Sequence, residues 1–137
     1  MYVFSISYVI IWSRILFVGY SMKKEKAEFQ LLSNTEEIKE KITLETKENS
    51  IYYFSLKDNS NNRFSREELL FTRETNEMLL DLDFKTEKNS KIYLKQEKLE
   101  YSINLQVIQK KIDKKKIEIK YELNGTKYLF KIILEDE

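Results

Sequence analysis

The chain has 137 residues, 24 Lys or Arg against 23 Asp or Glu, a formal net charge of +1, and neither cysteine nor histidine. This length suits one domain, and the missing residue types exclude disulfides, thiolate or imidazole metal sites, cysteine nucleophiles and Ser-His-Asp triads. Because the net charge is close to zero, no overall field draws the protein to nucleic acid, and we expect no nucleic-acid partner.

Residues 1–21 form an apolar leader in which Arg14 is the only charged residue. A membrane helix needs about 20 apolar residues, but an arginine near its middle is unfavourable. A signal peptide needs a basic start and a small-residue cleavage site, and the leader lacks both. We therefore expect that translation starts at Met22 and that residues 22–137 form a cytoplasmic domain. If the leader is translated, the lysines behind it predict a membrane-tethered protein whose domain faces the cytoplasm.

From residue 26 onward, apolar and polar residues alternate with the period of two that is typical of half-buried β-strands. Polar turn sequences divide this pattern into nine predicted strands: 26–33, 38–46, 51–57, 64–72, 77–85, 91–95, 99–109, 113–123 and 126–135. Residues 65–71 also allow a short helix. Nine sequential strands leave two exposed edges unless the sheet closes, so the pattern favours an antiparallel up-and-down barrel.

Tyr52, Tyr53 and Phe54 form an aromatic run in the third predicted strand. Aromatic platforms can stack nucleic-acid bases, but side chains on a strand alternate between faces, so these three cannot share one. We expect Tyr53 or Phe54 to pack in the core. Further along, Arg73 beside Glu74 allows either an anion-binding residue or a surface ion pair of small energetic value.

Two charged clusters follow. Asp81 and Asp83 lie two residues apart and hence on one strand face, where paired carboxylates could act in acid–base chemistry or bind a hard cation. The pattern favours a solvated outer face instead. The basic run "KKIDKKK" at 110–116 could hold phosphate or nucleic acid, but a hairpin turn kept soluble by lysines agrees better with the neutral chain.

Asn124 and Gly125 lie between two strong strand patterns, and the chain contains only 2 glycines. A two-residue type I′ turn needs positive φ at both central positions, and Asn-Gly is its commonest solution. The dipeptide therefore predicts a tight hairpin between residues 116–123 and 126–134.

The stretch from 64 to 135 resembles the YwiB-like family of small bacterial proteins of unknown function. The matching features are an arginine after a strand, a strand ending in phenylalanine, a tyrosine in the next short strand, a "YSI" strand onset and a closing hairpin: Arg73, Phe84, Tyr93, 101–103 and 117–125. The resemblance implies a calycin-like β-barrel and supplies no catalytic residue. Thr75 and Asn89 stand where the family has glycines.

These observations predict an all-β, antiparallel, up-and-down calycin-like β-barrel of eight to nine strands. Large side chains predict an interior that is mostly filled, with room for a small apolar or amphipathic ligand at the barrel mouth. The candidate ligand-binding residues are Tyr101, Tyr121, Tyr93 and Arg73. We expect no catalytic residue, metal or cofactor. The alternative function is a protein-interaction or structural module that uses the outer sheet face, and an enzyme using Asp81 and Asp83 ranks last.

Overall fold

The computed structural model describes residues 23–135, so the predicted leader and the choice of start site lie outside the described residues. This part of the chain forms eleven β-strands: β1 Lys23–Ser33, β2 Glu37–Lys47, β3 Ser50–Ser55, β4 Ser60–Ser65, β5 Leu70–Glu74, β6 Met78–Asp83, β7 Lys91–Leu94, β8 Leu99–Ser102, β9 Leu105–Ile112, β10 Lys116–Leu123 and β11 Thr126–Leu134. Between residues 23 and 135 there is no helix that is long and apolar enough to cross a membrane.

All eleven strands belong to one antiparallel sheet in the order β8-β7-β6-β5-β4-β3-β2-β1-β11-β10-β9. The last strand returns to the first, so that Phe29 of β1 lies opposite Ile132 of β11. The two edge strands, β8 and β9, are consecutive in the chain and are separated only by Ile103 and Asn104. Since β8 pairs with β7 and β9 pairs with β10, this single stretch carries both edges of the sheet. The protein is an all-β half-barrel.

Two hydrogen bonds join the edge strand β9 to the β6–β7 loop. The backbone N–H of Val107 in β9 donates to the Glu87 carboxylate in the β6–β7 loop. The Lys110 Nζ reaches the carbonyl oxygen of Phe84 at 3.4 Å. These contacts partly cover the β9 edge, which reduces its exposure to pairing with another chain.

The core is the concave face of the sheet, and Phe130 of β11 lies at its centre. Its ring centroid lies 4.9 Å from that of Phe71 on β5 and 5.8 Å from that of Phe29 on β1. It also lies 6.2 Å from the ring of Phe84, at the end of β6. In the sheet, β5 and β11 are separated by four strands, and neighbouring strands are about 4.8 Å apart. Only strong curvature brings these rings together, which gives the sheet its barrel-like form.

The predicted all-β antiparallel fold is confirmed, but the predicted strand count of eight to nine is wrong. The predicted strand 64–72, and the helix allowed at 65–71, are instead the end of β4, a four-residue turn and the start of β5. The predicted strand 99–109 is interrupted at Ile103 and Asn104. The inward residues of β4, Ser60 and Asn62, are polar although they are buried. The first part of β4 therefore has a sequence that is typical of a turn.

The predicted type I′ turn is confirmed, since Asn124 has φ 49° and Gly125 has φ 89°. Every other turn in residues 23–135 lacks glycine. Six non-glycine residues there adopt positive φ: Glu48, Asn59, Leu69, Glu87, Lys98 and Asn124. Such a conformation costs roughly 1–2 kcal/mol for an ordinary L-residue, so the packing of the sheet offsets a modest strain at several turns.

Candidate functional site

A cavity of about 130 Å³ opens at one end of the half-barrel. We call this the mouth end; it carries the turns at 34–36, 56–59, 75–77 and 124–125. The apolar part of the wall consists of side chains from the concave face: Phe29, Leu31, Ile38, Phe71, Leu80, Leu82, Leu123 and Phe130. The polar part consists of Glu36, Ser55, Asp58, Asn62, Arg73, Tyr121 and Tyr128. Alternation along curved strands therefore brings apolar and polar groups to one concave surface.

Three polar residues form a row across the concave face. Tyr53 of β3 lies opposite Asn62 of β4, and Asn62 lies opposite Arg73 of β5. Directly opposed residues on neighbouring antiparallel strands share a face and lie about 5 Å apart. The next row on the same face lies two residues further along each strand, towards the core. It is apolar and consists of Ile51, Phe64, Phe71 and Leu82. The barrel interior thus changes from apolar to polar near its mouth.

Arg73 is held at the cavity wall by an ion pair with Asp58 from the β3–β4 turn, with side chains 22% and 24% exposed. Asp58 is fixed in turn, because its Oδ1 accepts a hydrogen bond from the Ser60 hydroxyl. Such an oriented guanidinium is well suited to planar hydrogen-bonding partners. Among the described residues, the Arg73 Nε is buried and has no hydrogen-bond partner. One N–H donor of the Arg73 guanidinium therefore has no acceptor in the described part of the chain.

Glu40 of β2 also lies on the concave face, opposite Phe29 of β1. Its side chain is only 8% exposed. The carboxylate accepts hydrogen bonds from the Ser55 hydroxyl at 2.6 Å and from the Leu56 backbone N–H at 2.8 Å. Burying a carboxylate is unfavourable unless it is hydrogen-bonded, and these two donors meet that need. Glu40 therefore places a further acidic group directly behind the lining residue Ser55.

The Tyr53 hydroxyl is the second unpartnered donor of the mouth end. The residue is 5% exposed, and within residues 23–135 its hydroxyl oxygen is buried with no hydrogen-bond partner. Burial raises the pKa of the phenol well above its ordinary value; Asp58 raises it further, while Arg73 opposes the shift. A buried polar atom without a partner costs about 1–3 kcal/mol and calls for an explanation.

Tyr121 of β10 faces the same space from the opposite wall. Its ring lies between Phe84, with centroids 5.1 Å apart, and Tyr128, with centroids 5.4 Å apart. Burial raises the pKa of the Tyr121 phenol above its ordinary range; Tyr128 adds to the shift and Arg73 opposes it. Arg73 and Tyr121 thus both line the cavity.

The other predicted polar clusters lie away from this cavity. Asp83 is 6% exposed, so the predicted solvated position is wrong for it. Its carboxylate instead accepts hydrogen bonds within the β6–β7 loop, where the backbone turns away from the sheet. Asp81 accepts a hydrogen bond from the Thr72 hydroxyl at 3.0 Å. In the basic run, Asp113 accepts hydrogen bonds from the backbone N–H groups of Lys115 and Lys116 and so closes the turn.

Of the four candidate ligand-binding residues, the structure brings Arg73 and Tyr121 together at the cavity. Tyr101 lies on the edge strand β8 and is 49% exposed. Tyr93 pairs with Leu79 and Glu100. The row that contains Arg73 continues instead through Leu80 and Ile92, so Tyr93 belongs to the other set of alternating positions. Neither Tyr93 nor Tyr101 lines the cavity.

The sequence analysis missed Glu40, Asp58 and Asn62 and expected only packing from Tyr53. A signal for Glu40 was present, because it occupies an inward position between Ile38 and Ile42 on an otherwise apolar face. A polar residue at a position that alternation assigns to the core needs a buried partner. Asp58 gave no such signal, because it lies in a turn, where acidic residues are common.

No protein-family model matches the chain, and no curated protein or solved structure matches it either. The resemblance to the YwiB-like family therefore stays a prediction. Within residues 23–135, no group of three or more acidic side chains is arranged to hold a metal ion. The geometry of the mouth end is accordingly the main guide to function.

Proposed function

We propose that this protein is a non-catalytic binding protein that holds a small apolar or amphipathic ligand at the mouth of its barrel. One observation carries the proposal: a cavity with mostly apolar walls is lined by Arg73, whose Nε is a buried hydrogen-bond donor with no partner among the described residues. The Tyr53 hydroxyl, which is also buried and unpartnered there, lies beside the wall, opposite the lining residue Asn62. Apolar pockets with a few convergent polar groups are the usual form of small-molecule sites.

The size of the cavity supports a small ligand. Its volume is about 130 Å³, close to the roughly 150 Å³ engineered cavity that binds benzene. Large side chains fill the remaining interior, as the ring contacts around Phe130 illustrate. A long acyl chain would need those rings to move, and close-packed interiors resist such displacement.

The polar groups supply orientation. Tyr53 and Arg73 both present donors, and an acceptor atom on a ligand would relieve the cost of leaving them buried and unpaired. The Asp58 ion pair and the Ser60 hydrogen bond hold the guanidinium and the turn in position before a ligand arrives. Preorganised donors of this kind favour binding, because little side-chain entropy remains to be lost.

The finer fold class belongs to the same proposal. An up-and-down antiparallel sheet that curves around a core and opens at one end is the arrangement expected of a calycin-like barrel. The half-barrel of residues 23–135 has this order, with β11 returning to β1. We place the protein in the cytoplasm, without a cofactor, on the composition of residues 22–137.

The proposal is tested by native mass spectrometry of protein purified from its own host, followed by dye displacement. We expect either a retained small molecule or saturable binding of a small apolar dye. Tyr121→Phe should weaken binding, while Tyr101→Phe, outside the cavity, serves as the matched control. A folded protein that binds no member of several amphiphile classes would contradict the proposal.

The outer sheet face supports a second candidate, a protein-interaction module. Tyr52 and Phe54 point outward from β3 and are 37% and 44% exposed, and Leu56 follows them at 82%. The guanidinium of Arg63 lies 6.0 Å from the Tyr52 ring centre. Aromatic residues and arginine are enriched at protein interfaces. If this face pairs two copies, sedimentation should show concentration-dependent association that Phe54→Ser abolishes.

A further inference from the structure

We infer that the ligand of the mouth cavity is an uncharged compound of roughly benzene size that carries one oxygen acceptor, and not a carboxylate or an amine. The inference rests on the proposed function and adds the chemical class of the ligand. It follows from three features of the cavity and the residues directly beside it: the sign of the charged groups, the type of the unpartnered atoms, and the volume of the cavity.

The charged groups at the cavity are mostly acidic. Glu36 and Asp58 line the cavity, and Arg73 is the one cationic side chain in the wall. Glu40 lies directly behind the lining residue Ser55 and bonds to its hydroxyl. Arg73 is already paired with Asp58. A carboxylate entering this space would meet one compensated cation and three acidic groups, of which Glu40 is buried, Asp58 half-buried and Glu36 exposed. The repulsion is strongest from the buried group, where water screens it least.

The unpartnered atoms are of one type. The Arg73 Nε–H can only donate a hydrogen bond, and the Tyr53 hydroxyl has a proton to donate. Both are buried without a partner in the described part of the chain. Arg73 lines the cavity, whereas Tyr53 lies beside the wall, opposite the lining residue Asn62. An ammonium group also only donates, so it could satisfy neither the guanidinium nor the proton of the phenol. A carbonyl, ether or hydroxyl oxygen would accept from them without bringing a charge.

The volume limits the rest of the molecule. About 130 Å³ holds a ring of about six or seven non-hydrogen atoms, by comparison with the benzene-sized cavity of known volume. Phe29, Phe71 and Phe130 provide the apolar surface that such a ring would contact. The predicted ligand is therefore a compact cyclic or branched ketone, alcohol, ester or amide.

The test uses four probes that share one ring: cyclohexanone, cyclohexane, cyclohexylammonium and cyclohexanecarboxylate. Each is titrated into the ¹⁵N-labelled full chain, and affinities are read from amide shifts of cavity residues. We expect cyclohexanone to bind about five- to tenfold more tightly than cyclohexane, the gain of one to two neutral hydrogen bonds. Both charged probes should bind more weakly than cyclohexanone.

Two variants sharpen the result. Tyr53→Phe removes one donor and keeps the ring, so it should reduce the preference for cyclohexanone over cyclohexane severalfold. Tyr52→Phe, on the neighbouring outward position, should leave that preference unchanged. Raising the salt concentration should not alter cyclohexanone binding, because an uncharged ligand is not screened.

The outcomes separate the inference from the proposed function. If the carboxylate or the ammonium binds most tightly, or if cyclohexane equals cyclohexanone, the cavity binds ligands but the inferred chemistry is wrong. If none of the four probes binds while the amide spectrum remains that of a folded protein, the proposed function fails and the inference fails with it. An unchanged preference in Tyr53→Phe also overturns the assigned donor.

Discussion

The two ends of the half-barrel treat their buried polar groups differently. At the end opposite the mouth, Asp83 closes the β6–β7 loop, where its carboxylate accepts from the backbone N–H groups of Lys85 and Thr86, both at 3.0 Å, and from the Thr86 hydroxyl. At the mouth end, the Tyr53 hydroxyl and the Arg73 Nε have no partner among the described residues. A satisfied network rigidifies a fold, whereas a buried group without a partner calls for an explanation; the proposed ligand would supply one.

The largest expected effect is at the satisfied end. Asp83→Ala removes the acceptor for several donors at once, and we expect the free energy of unfolding to fall by about 2–3 kcal/mol. Urea denaturation measures this, with Asp81→Ala as the matched control in the same strand. Asp81 accepts one hydrogen bond, from Thr72, so its loss should cost about 1 kcal/mol. If both variants lose the same free energy of unfolding, the hydrogen bonds to Asp83 do not stabilise the fold more than the single bond to Asp81.

Next comes the tight turn at the mouth end. At Gly125 an added Cβ would meet nothing within 4 Å, but the φ of +89° strains any L side chain. Gly125→Ala should therefore destabilise by about 1–2 kcal/mol through the backbone alone. Thermal unfolding measures the loss. A raised melting temperature would show that the turn tolerates a side chain and that the Asn-Gly requirement is not conformational.

A smaller effect, of opposite sign, is expected at the unsatisfied end. Tyr53→Phe removes a buried hydroxyl that has no partner, so the ligand-free protein should gain about 1 kcal/mol of stability. Tyr52→Phe, at an exposed position, should change stability by less than about 0.5 kcal/mol. If Tyr53→Phe instead destabilises the protein, its hydroxyl has a partner, and the contrast between the two ends disappears.

The smallest expected effect is a dependence on pH. Burial acts to raise the pKa of Asp83, but hydrogen bonds from Thr86, Lys85 and Asn89 outweigh it and lower the pKa below the ordinary value. The folded state thus binds this proton less readily than the unfolded state does. The associated stability is present above the unfolded pKa of about 3.9 and is lost as the pH falls through the lower folded value. Denaturation between neutral and acidic pH should show a steeper loss in wild type than in Asp83→Ala.

Alternation predicted the strands well where the concave face is apolar. In β10 and β11, residues such as Ile117, Ile119 and Phe130 are buried, and the predicted hairpin bounds agree with the structure. Alternation did not predict β4, because its inward residues Ser60 and Asn62 are of types that are common in turns. Only the structure shows that they are buried and hydrogen-bonded. Alternation also failed at Ile103 and Asn104, since it continues through the break where the chain changes its pairing partner from β7 to β10.

The candidate site was predictable only in part, for a related reason. Arg73 and Tyr121 stood out individually, but their common cavity depends on a curvature that no local pattern encodes. Tyr53, Asn62 and Arg73 are neighbours across strands, and such register follows from turn geometry. Glycine-poor turns added to the difficulty. The hydroxyl of Thr75, for instance, accepts hydrogen bonds from the backbone N–H groups of Glu77 and Met78. These bonds stabilise the β5–β6 turn without a glycine.

The most direct test of the mouth-end site is the Arg73 Nε–H resonance, followed by ¹H–¹⁵N NMR during a titration with cyclohexanone. A site that binds through its unpartnered donors predicts a saturable shift of this one signal, with the same affinity as the amides of the cavity wall. The Nε–H of Arg63, outside the cavity beside Tyr52, provides the internal control and should not move. An Arg73 signal that stays fixed while the cavity amides shift would contradict the account, because the ligand would then bind without the donor that defines the site.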